Sequence, residues 1–153
     1  METVSKYTIP IVSVAILCIL VNGNTEVVAE GSKWAKDKQT WVSKGDALNR
    51  MGNFSQAITA YDTALKIDPN YVNALDGKGW SLNELGNYTQ AIVYLDKALK
   101  IDPNHLDGLV FKAQALYNIG NYTGAKYYSE KALEIDPKSP VLKRLPEVFR
   151  KSQ

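Results

Sequence analysis

Few side chains in this sequence are of the kinds that do covalent chemistry. There is one cysteine, Cys18, and one histidine, His105. A disulfide or thiolate metal site needs a second cysteine, and a multi-histidine site needs a second imidazole, so both are excluded. His105 follows Asp102-Pro103 in a segment that reads as loop, and no carboxylate–histidine–nucleophile trio is legible around it. It reads as a solvated side chain. Gly77-Lys78-Gly79 lacks a third glycine at dinucleotide-binding spacing and falls inside a helical period, so it does not read as a phosphate loop. Asp68, Asp102 and Asp136 each precede a proline and read as turn residues, not as a paired acid and base. No catalytic residue, metal ligand or cofactor is therefore expected, and the chain reads as a non-enzyme. One covalent modification does have its pattern. Asn53-Phe54-Ser55, Asn87-Tyr88-Thr89 and Asn121-Tyr122-Thr123 match the N-glycosylation triplet, with Asn53, Asn87 and Asn121 as acceptors on an exported chain. The same residues also suit tight turns and would recur for that reason alone.

The elements that carry these residues are repeated. Ile-Asp-Pro occurs at Ile67-Asp68-Pro69, Ile101-Asp102-Pro103 and Ile135-Asp136-Pro137, and the prolines are 34 residues apart. Gly-Asn-aromatic-Ser/Thr recurs in phase from Gly52, Gly86 and Gly120. Fixed-period self-similarity of this kind signals stacked supersecondary units. Each unit reads as two helices. In the first, Trp41, Gly45 and Leu48 share a helical face, and Gly52 ends it through the left-handed conformation open to glycine. Asn53 is placed to cap the next helix by accepting from its free amides. There Ala57, Ile58, Tyr61, Ala64 and Leu65 share a face, and Pro69 closes the unit. Leu75, Gly79 and Leu82, then Leu109, Ala113 and Leu116, repeat the first-helix pattern.

These residues resemble tetratricopeptide repeats, whose first helix carries a bulky, then a small, then another bulky position. The second helix of that pattern carries alanines, an aromatic and a closing proline. The small positions are Gly45, Gly79 and Ala113, and the alanine pairs are Ala57 with Ala64, Ala91 with Ala98 and Ala125 with Ala132. The aromatic slot holds Tyr61, then Leu95, then Ser129, so looser packing is expected in the third copy. Lys44, Lys78 and Lys112 stand where the family usually has an apolar residue, each able to lay its stem on the core. Gly77, inside a helix, should cost about 1 kcal/mol relative to alanine.

The resemblance implies an all-α solenoid of three helix-turn-helix repeats with a C-terminal cap, binding another protein or peptide in a groove lined by the first helices. The groove residues it implies are Gln39, Val42, Asp46 and Asn49; Asn73, Asp76, Trp80 and Asn83; and Asp107, Val110, Gln114 and Tyr117. Amides such as Asn49 and Asn83 suit a peptide backbone, and Trp80 and Tyr117 offer flat apolar area. The alternative for Trp80 is simple packing against a neighbouring helix. The lysine–arginine clamp that some family members use on acidic chaperone tails is missing from this stripe, where Asp46, Asp76 and Asp107 stand. A basic or neutral guest, extended or helical, fits better.

Outside the repeats, residues 7–21 read YTIPIVSVAILCILV, an uncharged apolar run after Lys6. That is the layout of a signal peptide, with cleavage after Gly23 or Ala29; the second reading is an uncleaved membrane tether. The expected division is 1–23 signal or anchor, 24–37 linker or first-helix extension, 38–71, 72–105 and 106–139 the three repeats, and 140–153 the cap. Ser32 is expected to start a helix through Trp34 and Trp41. Val141, Leu142, Leu145, Val148 and Phe149 can cover the last apolar face, with Pro146 kinking or splitting the cap. A net charge of +2 does not demand a polyanionic partner. The local basic excess of Lys143, Arg144, Arg150 and Lys151 leaves an anionic-surface binder as one alternative and a self-associating envelope subunit as another; nucleic acid is disfavoured on an exported chain.

Overall fold

The computed structural model describes residues 27–150, with side chains described from 37 to 149. Residues 7–21 and both ends of the expected signal segment lie outside the described residues. The chain divides into two compact units, Met1–Lys33 and Trp34–Gln153. The described elements are α1 (Val27–Arg50), α2 (Phe54–Ile67), α3 (Val72–Glu84), α4 (Tyr88–Ile101), α5 (Leu106–Asn118), α6 (Tyr122–Ile135), a 3₁₀ turn (Pro140–Arg144) and the short α7 (Glu147–Arg150). No strand occurs among the described residues. α1 starts at Val27, upstream of Ser32, so the first helix is longer than the sequence pattern suggested.

The repeat is visible in the turns. Gly52, Gly86 and Gly120 have φ of +77°, +79° and +82°, the conformation in which a Cβ is penalised. Asn53, Asn87 and Asn121 each donate a backbone N–H to Leu48, Leu82 and Leu116 at 2.9 Å. These bonds satisfy helix-end carbonyls in a Schellman arrangement. Asp68, Asp102 and Asp136 each accept from the amide two residues on, at 3.0, 3.1 and 3.0 Å, so they are turn-formers. Side-chain capping is less uniform than expected. Only Asn121 caps, accepting from Gly124 N at 3.0 Å; Asn53 and Asn87 make no side-chain cap bond. A Cβ at Gly124 would crowd Asn121 Oδ1 at 3.1 Å, and the equivalent positions in the other copies are Gln56 and Gln90.

Successive helices pack pairwise from α2 to α6, and α3 also packs on α5, so first helices stand side by side. All six repeat alanines are fully buried. Tyr61 and Leu95 in the aromatic slot are fully buried too, and so is Ser129, whose hydroxyl donates to Ala125 O at 2.8 Å. The third copy is not looser for lacking a large residue. Sixteen residues beyond each slot, one period apart, stand Gly77 of α3, Phe111 of α5 and Leu145, which follows the 3₁₀ turn. Small meets large where Gly77 faces Tyr61, and by register the buried Leu145 is the counterpart of Gly77 for the small Ser129. Gly77 is therefore a packing requirement, because a Cβ there would come within 2.5 Å of Tyr61 Cε1.

The lysines do more than snorkel. Lys78 Nζ donates to Asp62 at 2.5 Å and to the Tyr94 hydroxyl at 2.9 Å. Lys112 pairs with Asp96 and donates to Tyr128 at 2.6 Å. Burial opposes each charge, but the carboxylate and phenol hold both ammonium groups above the usual lysine range. Lys44 is exposed and lies 4.8 Å over the Trp41 ring.

Candidate functional site

α1, α3 and α5 line a groove of about 600 Å³, closed at one side by Pro140, Val141 and Arg144 of the 3₁₀ turn. Of the groove residues named from sequence, Gln39, Val42, Asp46, Asn73, Asp76, Trp80 and Asp107 line it. Asn49, Asn83, Val110, Gln114 and Tyr117 do not line it.

Burial explains that division. Asn49 is 3% exposed; it donates to the Tyr61 hydroxyl at 3.0 Å and accepts from Ser81 Oγ at 2.8 Å. Tyr61 in turn donates to Asp46 Oδ1 at 2.7 Å. Burial, then the Asp46 carboxylate, holds this phenol far above the ordinary tyrosine range. Asn83 is also 3% exposed and donates to Phe111 O at 2.8 Å. Both amides bond the protein itself and are closed to a guest, contrary to the reading that gave them a peptide backbone. Val110 is core, Gln114 Oε1 is a buried atom without a hydrogen-bond partner among the described residues, and Tyr117 packs edge-on against Tyr122 and Phe149.

The C-terminal segment enters the groove instead of forming one capping helix. The chain breaks at Leu145 and Pro146 between the 3₁₀ turn and α7. Arg144 is therefore turned inward: its guanidinium carbon lies 4.1 Å from the Trp80 ring centroid and its Nη1 is 3.8 Å from Glu84 Oε1. Trp80 stacks on Phe111 at 5.7 Å and donates Nε1–H to Glu84 at 3.0 Å. Lys143 stays exposed, while Lys151 and the Arg150 side chain lie outside the described residues.

His105 stands in the loop just before α5, as expected, but is largely buried instead of solvated. Its Nε2 lies 3.1 Å from Asp76 Oδ2, and its Nδ1 lies 3.7 Å from Asp102 Oδ2. The Asp76 hydrogen bond, working against burial, holds the imidazole above its usual range. Asp76 is 4% exposed and its Oδ1 has no hydrogen-bond partner among the described residues. Burial pushes its carboxyl up to about 6, with His105 lowering it and Asp107 raising it. One signal for this pair was present in the sequence: Asp76 stands in register with Val42 and Val110, and His105 with Tyr71 and Ser139.

Two models, both described as tetratricopeptide repeat, match residues 42–105 and 82–145. Together they span more than half of the chain. The protein belongs to the tetratricopeptide-repeat family. Its solved structural neighbours agree in fold. The Sgt2 tetratricopeptide-repeat domain from Aspergillus fumigatus is 25% identical, with 74% of this chain and 77% of that one covered and a TM-score of 0.68. The Arabidopsis OM64 domain is 20% identical, covering 77% and 98%, at 0.68. The first such domain of Spaghetti (RPAP3), bound to the HSP90 peptide SRMEEVD, is 17% identical, covering 76% and 90%, also at 0.68. No curated protein matches the chain closely enough in sequence to serve as a relative. No helix of the described tetratricopeptide repeats is long and apolar enough to cross a membrane.

Proposed function

We propose that this tetratricopeptide-repeat protein is a non-catalytic interaction module that holds a basic or neutral peptide, extended or helical, in the groove between α1, α3, α5 and the 3₁₀ turn. The observation that carries this reading is the lining. Asp46, Asp76 and Asp107 outnumber the two lining arginines, Arg50 and Arg144, and the aromatic faces of Trp80 and Phe111 already hold a guanidinium, that of Arg144. A cation over an indole is an attractive arrangement, and the chain's own arginine displays the chemistry a guest side chain would use. The neighbour bound to SRMEEVD holds a peptide rich in acids; here three aspartates against the arginines Arg50 and Arg144 leave the lining with an acidic excess that disfavours such a guest.

The test is fluorescence titration of the purified chain with peptides of matched length. A lysine- or arginine-containing peptide should bind, SRMEEVD should not, and Trp80→Ala or Asp107→Asn should weaken binding while leaving the helical content intact. Tight binding of SRMEEVD would overturn the charge assignment. An exported or membrane-tethered location, expected from residues 7–21, belongs to the same proposal. Crosslinking in native membranes followed by mass spectrometry tests it and identifies the partner.

A further inference from the structure

The repeat provides its own control for what packing requires. The register position that is buried valine in the first and third copies, Val42 and Val110, is Asp76 in the second. The position that is Tyr71 and Ser139 elsewhere is His105. The position that is Asn73 and Val141 elsewhere is Asp107. All three exceptions meet at one junction, where α3 packs on the start of α5, and one ligand atom from each lies within 4.8 Å of the other two. A carboxylate in a valine's place is costly, since a buried charge needs compensation. Its Oδ1 has no partner among the described residues.

We infer that Asp76, His105 and Asp107 bind a divalent transition cation of the zinc class. Two carboxylates and one imidazole are hard-to-borderline donors that suit such an ion. The His105 Nε2 to Asp76 Oδ2 separation is 3.1 Å, close to the roughly 3.3 Å between ligands around a tetrahedral centre with bonds of about 2.0–2.1 Å. Asp107 is exposed on the first turn of α5 and free to rotate toward the pair. His105 Nδ1 faces Asp102 Oδ2 at 3.7 Å, beyond hydrogen-bond distance but placed where a small shift would make it the outer carboxylate that orients a metal-binding imidazole with Nε2 turned to the ion. Asp102 is itself held by the bond it accepts from Asn104 N. Three protein ligands leave a fourth position facing the groove, open to water or to a donor from a guest. A guest ammonium is the weaker candidate, because a protonated imidazole repels it whereas a metal uses the neutral ring. The cysteine and histidine counts alone hid this site, because two of its three ligands are aspartates.

The test uses the full chain after chelator treatment, titrated calorimetrically with Zn²⁺ and spectroscopically with Co²⁺. A Cys18→Ser control excludes the N-terminal thiol. One ion should bind per chain, with visible Co²⁺ absorption typical of four- or five-coordination, and Zn²⁺ should raise the melting temperature. Asp76→Asn and His105→Ala should each weaken binding by at least about 10-fold, and Asp102→Asn by about 10-fold through ring orientation. His105 is partly exposed and occupies a helix N-cap outside the apolar core, so His105→Ala is expected to retain the fold even if the Asp76 variant does not, and circular dichroism verifies it. Absence of Zn²⁺ binding at concentrations well above that of the protein overturns the site. So does binding that His105→Ala leaves unchanged, or a lysine-rich peptide occupying the same residues while Zn²⁺ gives no heat.

Discussion

Tyr61 fits against Gly77 so closely that the ring occupies the space of the missing methyl, and its hydroxyl is fixed by Asp46 and Asn49. Helix propensity alone favours alanine over glycine by about 1 kcal/mol. Overpacking a filled interior costs about 1–3 kcal/mol, and the pinned ring cannot swing aside. Gly77→Ala should therefore lower the urea midpoint although it supplies the better helix former. In a Tyr61→Leu background, which copies the Leu95 slot, the penalty should shrink or change sign, the non-additivity of residues in contact.

Asn49 and Trp80 should separate stability from binding. Asn49→Ala removes a buried donor and acceptor from the Tyr61–Ser81 network and should cost about 1–3 kcal/mol of unfolding free energy. Peptide affinity measured where the variant is still folded should hardly change. Trp80→Ala should do the reverse in affinity, because the indole forms part of the groove wall. Equal loss of affinity in both variants would return Asn49 to the binding surface.

The Asp76–His105 pair sets a pH dependence in chelator-treated protein. Asp76 is raised from 3.8 to about 6 in the fold. A raised value means that the native state holds the proton more tightly, so the contribution to stability is complete below pH 4 and is lost as pH rises through about 6. His105 is also raised, and its contribution is complete below its ordinary value and lost as pH rises through the native one. Both signs agree: thermal stability should fall from pH 5 to pH 8, by an amount on the order of 2 kcal/mol. Asp76→Val, the residue of Val42 and Val110, should flatten that profile and raise stability at pH 8. A melting-temperature series across this range checks it.

Arg144 competes with any cationic guest for Trp80. Its side chain is 39% exposed and its partner Glu84 is 31% exposed, so the pair adds little to stability. Arg144→Ala should lower the melting temperature by only a few degrees and tighten binding of a basic peptide about fivefold, the equivalent of roughly 1 kcal/mol of cation–π interaction transferred to the guest. Titration followed by tryptophan emission gives the ratio directly.

The fold was legible because period, glycine and proline each act locally. Gly52, Gly86 and Gly120 end helices wherever they sit, and the six alanines mark close approach in any register. The groove was legible only in part. Helical spacing puts Asn49 and Asn83 in line with Asp46 and Trp80, but it carries no information about depth. Both sit one turn further along, where the adjacent helices close over them. His105 was misread because its partner, Asp76, is on another helix, and only the departure of both from the valine and tyrosine or serine of the other copies points to the pair. The inward turn of Arg144 depends on Pro146 breaking the cap, which the sequence suggested, and on where the broken end then packs, which it did not.

The stepwise exchange of volume from Tyr61 with Gly77 to Ser129 with Leu145 makes each unit a keyed piece. A duplicated first unit would set the second copy's Ser43 against the first Tyr61, where Gly77 now stands, and a duplicated middle unit would leave the first Leu95 facing a glycine in place of Phe111. Gain of a whole 34-residue unit would thus put a volume mismatch at the seam, a crowded Tyr61 or an underfilled Leu95. The units of this array are therefore not interchangeable: each seam has its own fit, and a new unit would need compensating substitutions on both sides.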